Sequence, residues 1–268
     1  MIGLVGIDVD GTLVGTSGTV APVVWEAAQR ARAAGIRLAL CSGRPAFGVA
    51  LEYAQKLDPD GWHIFQNGAS VVHAGSGHSR SVTLPPDSVK SLIARARSTG
   101  DLLELYSDKA YVTESTSSWA HAHAALLGVP FEARPFESLA GPVVRAQWLL
   151  SQEDAKAVMA AAHPQLEIAQ SSSPLMPDTV FVGLTREGVS KGSALRTVAA
   201  EYGVSLQDVM YVGDAGNDLS ALRIVGHPVA MANADPVVLK VAVHTVGHVD
   251  EGGLAQALEL AIGTLGKP

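Results

Sequence analysis

Ile2-Gly3-Leu4-Val5-Gly6-Ile7-Asp8-Val9-Asp10-Gly11-Thr12-Leu13 opens the chain, and its reading decides the fold. The apolar and glycine run from Ile2 to Ile7 is what a strand buried on both faces requires, and it stops abruptly at an acidic, glycine-containing loop. Helical period follows from Pro22 to Ala34, with Pro22 near the start and Gly35 just past the end. Ile36 to Cys41 then reads as a second strand that runs into Ser42-Gly43-Arg44-Pro45 and another helix. A short strand at His63 to Phe65 ends at Gln66-Asn67-Gly68. Strand, helix, strand in that order predicts a right-handed βαβ unit and a parallel sheet.

The grammar changes between about residues 85 and 184. A helix over Pro86 to Ser98 leads into strand-like runs at Leu102 to Tyr106 and Tyr111 to Glu114, separated by a short polar turn, which predicts a hairpin and antiparallel sheet. A strand at Val143 to Leu150, a helix from Ser151 to Ala162 capped by Ser151, and strands at Leu166 to Gln170 and Thr179 to Leu184 complete this stretch. After Glu187 the first style returns: a helix from Ser190, a strand at Val209 to Gly213, and short apolar runs near Val229 and Thr245. The expectation is a parallel-sheet core, residues 1–84 and 185–268, interrupted by an antiparallel α+β insertion, residues 85–184.

With 47% apolar and 17% charged residues over 268 positions, the chain has ample material for a buried core and no compositional case for disorder. Its formal charge of −7, with no Lys/Arg run, argues against nucleic acid and anionic membrane as partners. No apolar stretch approaches the roughly 18 to 20 residues needed to span a bilayer. Cys41 is the single cysteine and the N-terminal apolar run lacks a basic flank, so a reducing, cytoplasmic location is expected. Within a buried strand Cys41 reads as an inert small hydrophobe. His121 and His123, spaced by two in a polar stretch, read as surface residues, and the four tryptophans as packing residues.

In an open parallel sheet the strand ends converge on one crevice, so polar groups just beyond different strands can meet although distant in sequence. Asp8 and Asp10 would repel each other unless one is protonated or a cation sits nearby, and Asp214 and Asp218, after the strand VMYVG, add charge to the same rim. A hard, oxygen-liganded cation, Mg²⁺ by preference, resolves that conflict. Ser42-Gly43 lies where a strand meets a helix and can offer backbone N–H groups and a hydroxyl to phosphate oxygens. Lys191, just after the N-cap Ser190, puts a cation at the positive end of a helix dipole, an arrangement that a bound anion would reverse. Each feature has a bland reading as well: Asp-Gly and Ser-Gly are ordinary turn punctuation, and Lys191 is acceptable as a solvated lysine.

Taken in order, these segments resemble the haloacid dehalogenase superfamily of phosphotransferases, and within it the Cof-type sugar-phosphatase branch (subclass IIB, C2-capped). The matching segments are Asp8-Val9-Asp10-Gly11-Thr12-Leu13, Ser42-Gly43-Arg44, Asn67-Gly68-Ala69, Lys191-Gly192 and Gly213-Asp214-Ala215-Gly216-Asn217-Asp218. Ala230-Met231-Ala232-Asn233-Ala234, where many relatives carry Gly in the middle, and Asp250-Glu251-Gly252-Gly253 are also similar. The resemblance implies an α/β fold with a doubly wound, Rossmann-like parallel-sheet core and an inserted α+β cap. It implies a phosphatase acting on a small phosphate monoester, with Asp8 as nucleophile and Asp10 as acid and base. Mg²⁺ would be held by Asp8, Asp214 and the Asp10 backbone carbonyl, with Asp218 assisting, and the phosphoryl oxygens by Ser42, Gly43, Lys191 and Asn217. The cap would close over the cleft, with Asp108, Lys109 and Ser171-Ser172-Ser173 as polar groups within possible reach.

Two other functions fit the same residues: a phosphomutase of the superfamily, returning the phosphoryl group to sugar, and a non-catalytic module binding a phosphometabolite. The loop Asp214 to Asp218 looks more like the hydrolase form, and a pure binder needs no nucleophile at Asp8. The expected partner is a small phosphate ester, and the expected assembly a monomer or small homo-oligomer.

Overall fold

The computed structural model describes residues 1–173 and 176–264. The chain divides into two compact units, one made of Met1–Arg44, Ala50–Arg80 and the chain from Ser190 onward, the other of Pro45–Val49 and Ser81–Val189.

The first unit begins with β1 (Leu4–Asp8), α1 (Pro22–Ala33), β2 (Arg37–Cys41), α2 (Val49–Leu57), β3 (Trp62–Phe65) and β4 (Ser70–His73). The second contributes α3 (Pro86–Thr99), β5 (Leu102–Tyr106), β6 (Tyr111–Val112), α4 (Ser118–Leu127), β7 (Arg145–Leu150), α5 (Gln152–Ala160), β8 (Leu166–Ser173) and β9 (Met176–Arg186). The first is completed by α6 (Lys191–Glu201), β10 (Val209–Gly213), α7 (Leu219–Leu222), β11 (His227–Met231), α8 (Pro236–Leu239), β12 (His244–Val246) and α9 (Gly253–Gly263).

Among the described residues, the first unit holds one sheet in the order β12-β11-β10-β1-β2-β3-β4, parallel except for the β3/β4 pair. All five residues of β1 are buried, as its apolar run requires, with Leu4 packed among Ala39, Ile64, Leu195, Val198 and Tyr211. From β1 the chain steps outward through β2 and β3 on one side, and from β10 through β11 and β12 on the other. The order therefore reverses between β1 and β10, where doubly wound sheets open a crevice at their carboxyl ends. The antiparallel β4 is an element the sequence reading lacks: Gln66 and Asn67 adopt positive φ (52° and 55°), turning the chain back within a few residues. Cys41 is fully buried opposite Asp8 in the β1/β2 register, its thiol directed at the Ala39 carbonyl (3.6 Å).

The second unit holds an antiparallel sheet, β6-β5-β7-β9-β8, the hairpin grammar of its sequence made real. Leu103, Leu105, Trp148, Val180, Val182 and Leu184 line one face, packed with Leu92 and Ala96 of α3 and Ala155 and Val158 of α5. Ser151 caps α5 by accepting from the Asp154 amide (3.1 Å). The opposite face is polar at its centre: the buried Glu104 carboxylate accepts from Gln147 Nε2 (3.2 Å), pairs with His123 Nδ1 (2.8 Å) and takes the Tyr106 hydroxyl.

His123 is therefore not a surface residue. It lies on α4 with Ala120 and Ala124, three and four residues apart on one buried face, while His121 is exposed. Ser171 to Ser173 belong to the strand β8, paired with β9, and not to a cap loop. Asp108 accepts from the Ser81 hydroxyl (2.7 Å), a tie within the unit, while Lys109 is exposed. Among the described residues no helix is long and apolar enough to cross a membrane.

Candidate active site

Asp8 is the last residue of β1 and Asp214 follows the last residue of β10, so the two carboxylates stand side by side at the point of reversal. Asp218 comes back to the same place because Gly216–Asp218 forms a single 3₁₀ turn directly after Asp214 and Ala215. One carboxylate oxygen from each of Asp8, Asp214 and Asp218 lies within 4.8 Å of the others. Lys191 reaches them from the start of α6, where Ser190 caps the helix in a reciprocal box with Ser193 (3.1 and 2.9 Å). Its ammonium donates to Asp8 Oδ1 and to Asp218 Oδ1 (2.7 Å), and the side chain is 1% exposed. A solvated lysine is thus excluded.

Asp218 has no acceptor capacity left. Its Oδ1 accepts from Lys191 and from the Tyr211 hydroxyl (2.6 Å), and its Oδ2 from the amides of Asp214 and Ala215 (both 3.0 Å). An ionised carboxylate offers about four lone-pair sites, and all are occupied here. Asp218 therefore shapes the loop that presents Asp214 and aims the Lys191 ammonium. Tyr211 carries no sequence signal for this role, since in VMYVG it reads as one more buried strand residue.

Three buried or half-buried carboxylates against one ammonium leave an excess of negative charge. Burial, then the Asp218 charge, push the Asp8 carboxyl well above its ordinary value despite Lys191. Burial first, with Asp218 contributing, pushes Asp214 up to about 6, opposed by the Thr12 hydroxyl that it accepts at Oδ1 (2.9 Å). Burial alone would lower the Lys191 ammonium, but Asp8 and Asp218 outweigh it and hold the amine above its usual range, so it stays charged. Hard oxygen donors in a cluster short of positive charge are the donor set that suits Mg²⁺.

Asp10 stands apart from this group. Its carboxylate is largely exposed and paired with Arg44, Nη2 to Oδ1 at 2.5 Å and Nε to Oδ2 at 3.1 Å. The sequence contained Arg44 within Ser42-Gly43-Arg44 without a role, and only the folded backbone shows that it meets Asp10. Ser42 is fully buried at the end of β2, its hydroxyl accepting from the Arg44 amide (3.0 Å). Asn67 stands beside Gly43, where a Cβ would lie 3.3 Å from its side-chain amide, and accepts from Asn217 Nδ2 (3.1 Å). The same turn approaches Lys191: Gly68, at φ +105°, presses on the Ser190 carbonyl so closely that no side chain fits.

A carboxylate cluster with a buried ammonium beside it thus stands at the switch point of the parallel sheet. Residues 5–258 match the family model of haloacid dehalogenase-like hydrolases. The chain is 29% identical to the pyridoxal phosphate phosphatase YbhA of Escherichia coli (strain K12), over 94% of this chain and 96% of that protein. Its fold is similar to that of a haloacid dehalogenase-like hydrolase from Bacteroides thetaiotaomicron (TM-score 0.82, 26% identity, 97% and 99% of the two chains). It is likewise similar to a sugar phosphatase of subclass IIB of that superfamily (TM-score 0.78, 24% identity, 97% and 99%). With the match running over nearly all of the catalytic sheet and the insertion alike, the chain belongs to the haloacid dehalogenase-like hydrolases.

Proposed function

We propose that this protein hydrolyses small phosphate monoesters, sugar phosphates or similar metabolites, through an aspartyl-phosphate on Asp8. The observation that carries the reading is the Asp8 carboxylate held by the buried Lys191 ammonium beside Asp214. In the first half-reaction an Asp8 oxygen attacks phosphorus, the bond from phosphorus to the ester oxygen breaks, and Asp10 gives that oxygen a proton. In the second, water attacks the phosphoryl group, Asp10 takes the water's proton, and the Asp8 carboxylate and inorganic phosphate leave. Lys191, the Ser42 hydroxyl, the Gly43 amide and Asn217 would hold the equatorial oxygens, where charge stabilisation is the main demand of phosphoryl transfer.

The Arg44 pair bears on the proton step. Arg44 takes one lone pair of each Asp10 oxygen, so the ester oxygen, and later the water, would meet Asp10 on the side that the guanidinium leaves open. Asp8, Asp214 and the backbone carbonyl of Asp10 would hold Mg²⁺, with Asp218 acting on it only through the loop and amine it orients. When bound, the ion would offset charge on the phosphoryl oxygens and on the acidic cluster. The second unit would serve as the cap that excludes water and selects the leaving group.

The direct test is phosphate release across a panel of sugar phosphates, pyridoxal phosphate and nucleotides, with Mg²⁺ and with chelator. Release that needs the ion supports the reading. A mutase would release little and would need a bisphosphate activator, and binding without any turnover would favour a binding module.

The carboxyl shifts set a second expectation. Because Asp214 takes up its proton more readily folded than unfolded, metal-free stability falls as pH rises from the usual value of 3.8 toward about 6 and levels off above it. Asp8, shifted the same way, adds to the same sign. A cation must displace those protons, so saturating Mg²⁺ should raise Tm by about 5 °C or more at pH 7.5 and progressively less below about pH 6. An equal gain at pH 5 and 7.5 in a thermal melt would count against a cation seated on Asp214.

A further inference from the structure

The turn after β11 grips both acidic loops at once. Asn233, half-buried in that turn, donates from Nδ2 to the Gly11 carbonyl (2.8 Å) and accepts at Oδ1 from the Val249 amide (3.0 Å). Two residues later the Asp235 amide donates to the Asp214 carbonyl (2.8 Å). One four-residue turn, 232–235, thus fixes the backbone beside Asp10 and the backbone at Asp214. The primary amide at 233 serves both partners because one end donates and the other accepts.

The anchored peptide sits at a tight place. Gly11 is at φ +89°, and a Cβ there would lie 2.2 Å from Asp214 Oδ2. Its neighbour Thr12 donates its hydroxyl to Asp214 Oδ1 (2.9 Å), and the Gly11 amide donates to the Val14 carbonyl (2.9 Å). At the far end of the loop Asp250 accepts from the Thr16 amide (2.9 Å) and hydroxyl (3.0 Å). The loop that bears Asp10 is therefore tied from outside at Gly11 by Asn233, at Thr12 by Asp214 and at Thr16 by Asp250, besides the Arg44 pair on the Asp10 carboxylate, and the tie on its backbone nearest to Asp10 is that of Asn233.

We propose that Asn233 is a positioning residue for proton transfer: by holding the Gly11 carbonyl it sets where Asp10 can deliver its proton to the leaving oxygen. The inference rests on the phosphatase reading above. Displacing a catalytic group by about 1 Å can cost on the order of 10²-fold, and general-acid help is worth roughly 10² to 10⁴-fold, so the loss falls where that help is needed. An alkyl phosphate needs its leaving oxygen protonated; p-nitrophenyl phosphate, with a stable phenolate, does not.

The test compares kcat/KM, which reports steps through leaving-group departure, for an alkyl sugar phosphate and for p-nitrophenyl phosphate, in the full-length protein with Mg²⁺. Asn233→Ala should lose about 10 to 100-fold on the alkyl ester and at most about threefold on the aryl ester. Asn233→Asp keeps the acceptor for Val249 but loses the donor toward Gly11, and should show the same selective loss with a melting temperature nearer to wild type. Equal losses on both esters, or no loss on either, overturn the inference while leaving an active wild type and its phosphatase reading intact. A wild type that cleaves neither ester overturns both.

Discussion

Asp8→Asn should lower phosphate release by about 10⁴-fold or more while leaving the protein folded. The amide is isosteric with the carboxylate and can still accept from the Lys191 ammonium, but, being neutral, it is too weak a nucleophile to attack phosphorus. Removing a group that acts as a unit with its neighbours costs nearly the whole chemical acceleration, as deletion of a nucleophile does elsewhere. Stability moves differently. Burial already disfavours the Asp8 charge, so a neutral residue there relieves the cluster, and the melting temperature in metal-free buffer should stay within a few degrees of wild type or rise. Rates on the best ester of the panel, with a melt on the same preparation, check both halves. More than a tenth of wild-type turnover in a folded Asp8→Asn protein would remove the covalent mechanism.

Lys191→Met has the largest expected effect on stability. The ammonium is the only cation donating to Asp8 and Asp218 among the described residues, and both carboxylates are buried. Methionine fills the volume and pairs with nothing, and stripping one partner from a buried ion pair costs about 3–5 kcal/mol. For a chain of this size each kcal/mol lowers Tm by roughly 2–4 °C, which sets the scale of the drop. The loss should be greater at pH 8 than at pH 5, because at the lower pH the abandoned Asp8 carboxylate is more readily protonated. It should also be partly recovered by Mg²⁺, which supplies charge to the same cluster. If Lys191 holds the phosphoryl oxygens as proposed, turnover should also fall by about 10² to 10³-fold even where the variant is folded. A variant as stable and as active as wild type would mean that the amine holds neither the carboxylates nor the ester.

How much of this was legible in the chain depends on whether the signal was local. β1 and its acidic tip were, because a doubly buried strand has to be a continuous apolar run and cannot contain Asp8 anywhere but its end. The capping of α5 by Ser151 and of α6 by Ser190 was legible for the same reason, a hydroxyl followed at once by helical period. β4 was not: SVVH is four residues long, and nothing in so short a run tells an edge strand from a loop. α4 was missed although Ser117 and Gly128 mark its ends, the latter in the left-handed conformation, because its two histidines made an apolar helix look polar. What no local pattern contains is the pairing of side chains across the sheet. The meeting of Arg44 with Asp10, of Tyr211 with Asp218, of Asn67 with Asn217 and of Asn233 with Gly11 joins residues brought together only by the completed backbone.

Cys41, opposite Asp8 on the neighbouring strand, has a practical consequence. Its sulfur is wholly enclosed, and enclosure pushes the thiol well above its usual range, so an alkylating reagent finds neither access nor thiolate in the native protein. Since the residue lies in the central sheet, one strand from the catalytic one, modification has to wait for that sheet to come apart. The rate of maleimide capture is then a clock for opening of the parallel sheet, read from a single native thiol without any engineered label.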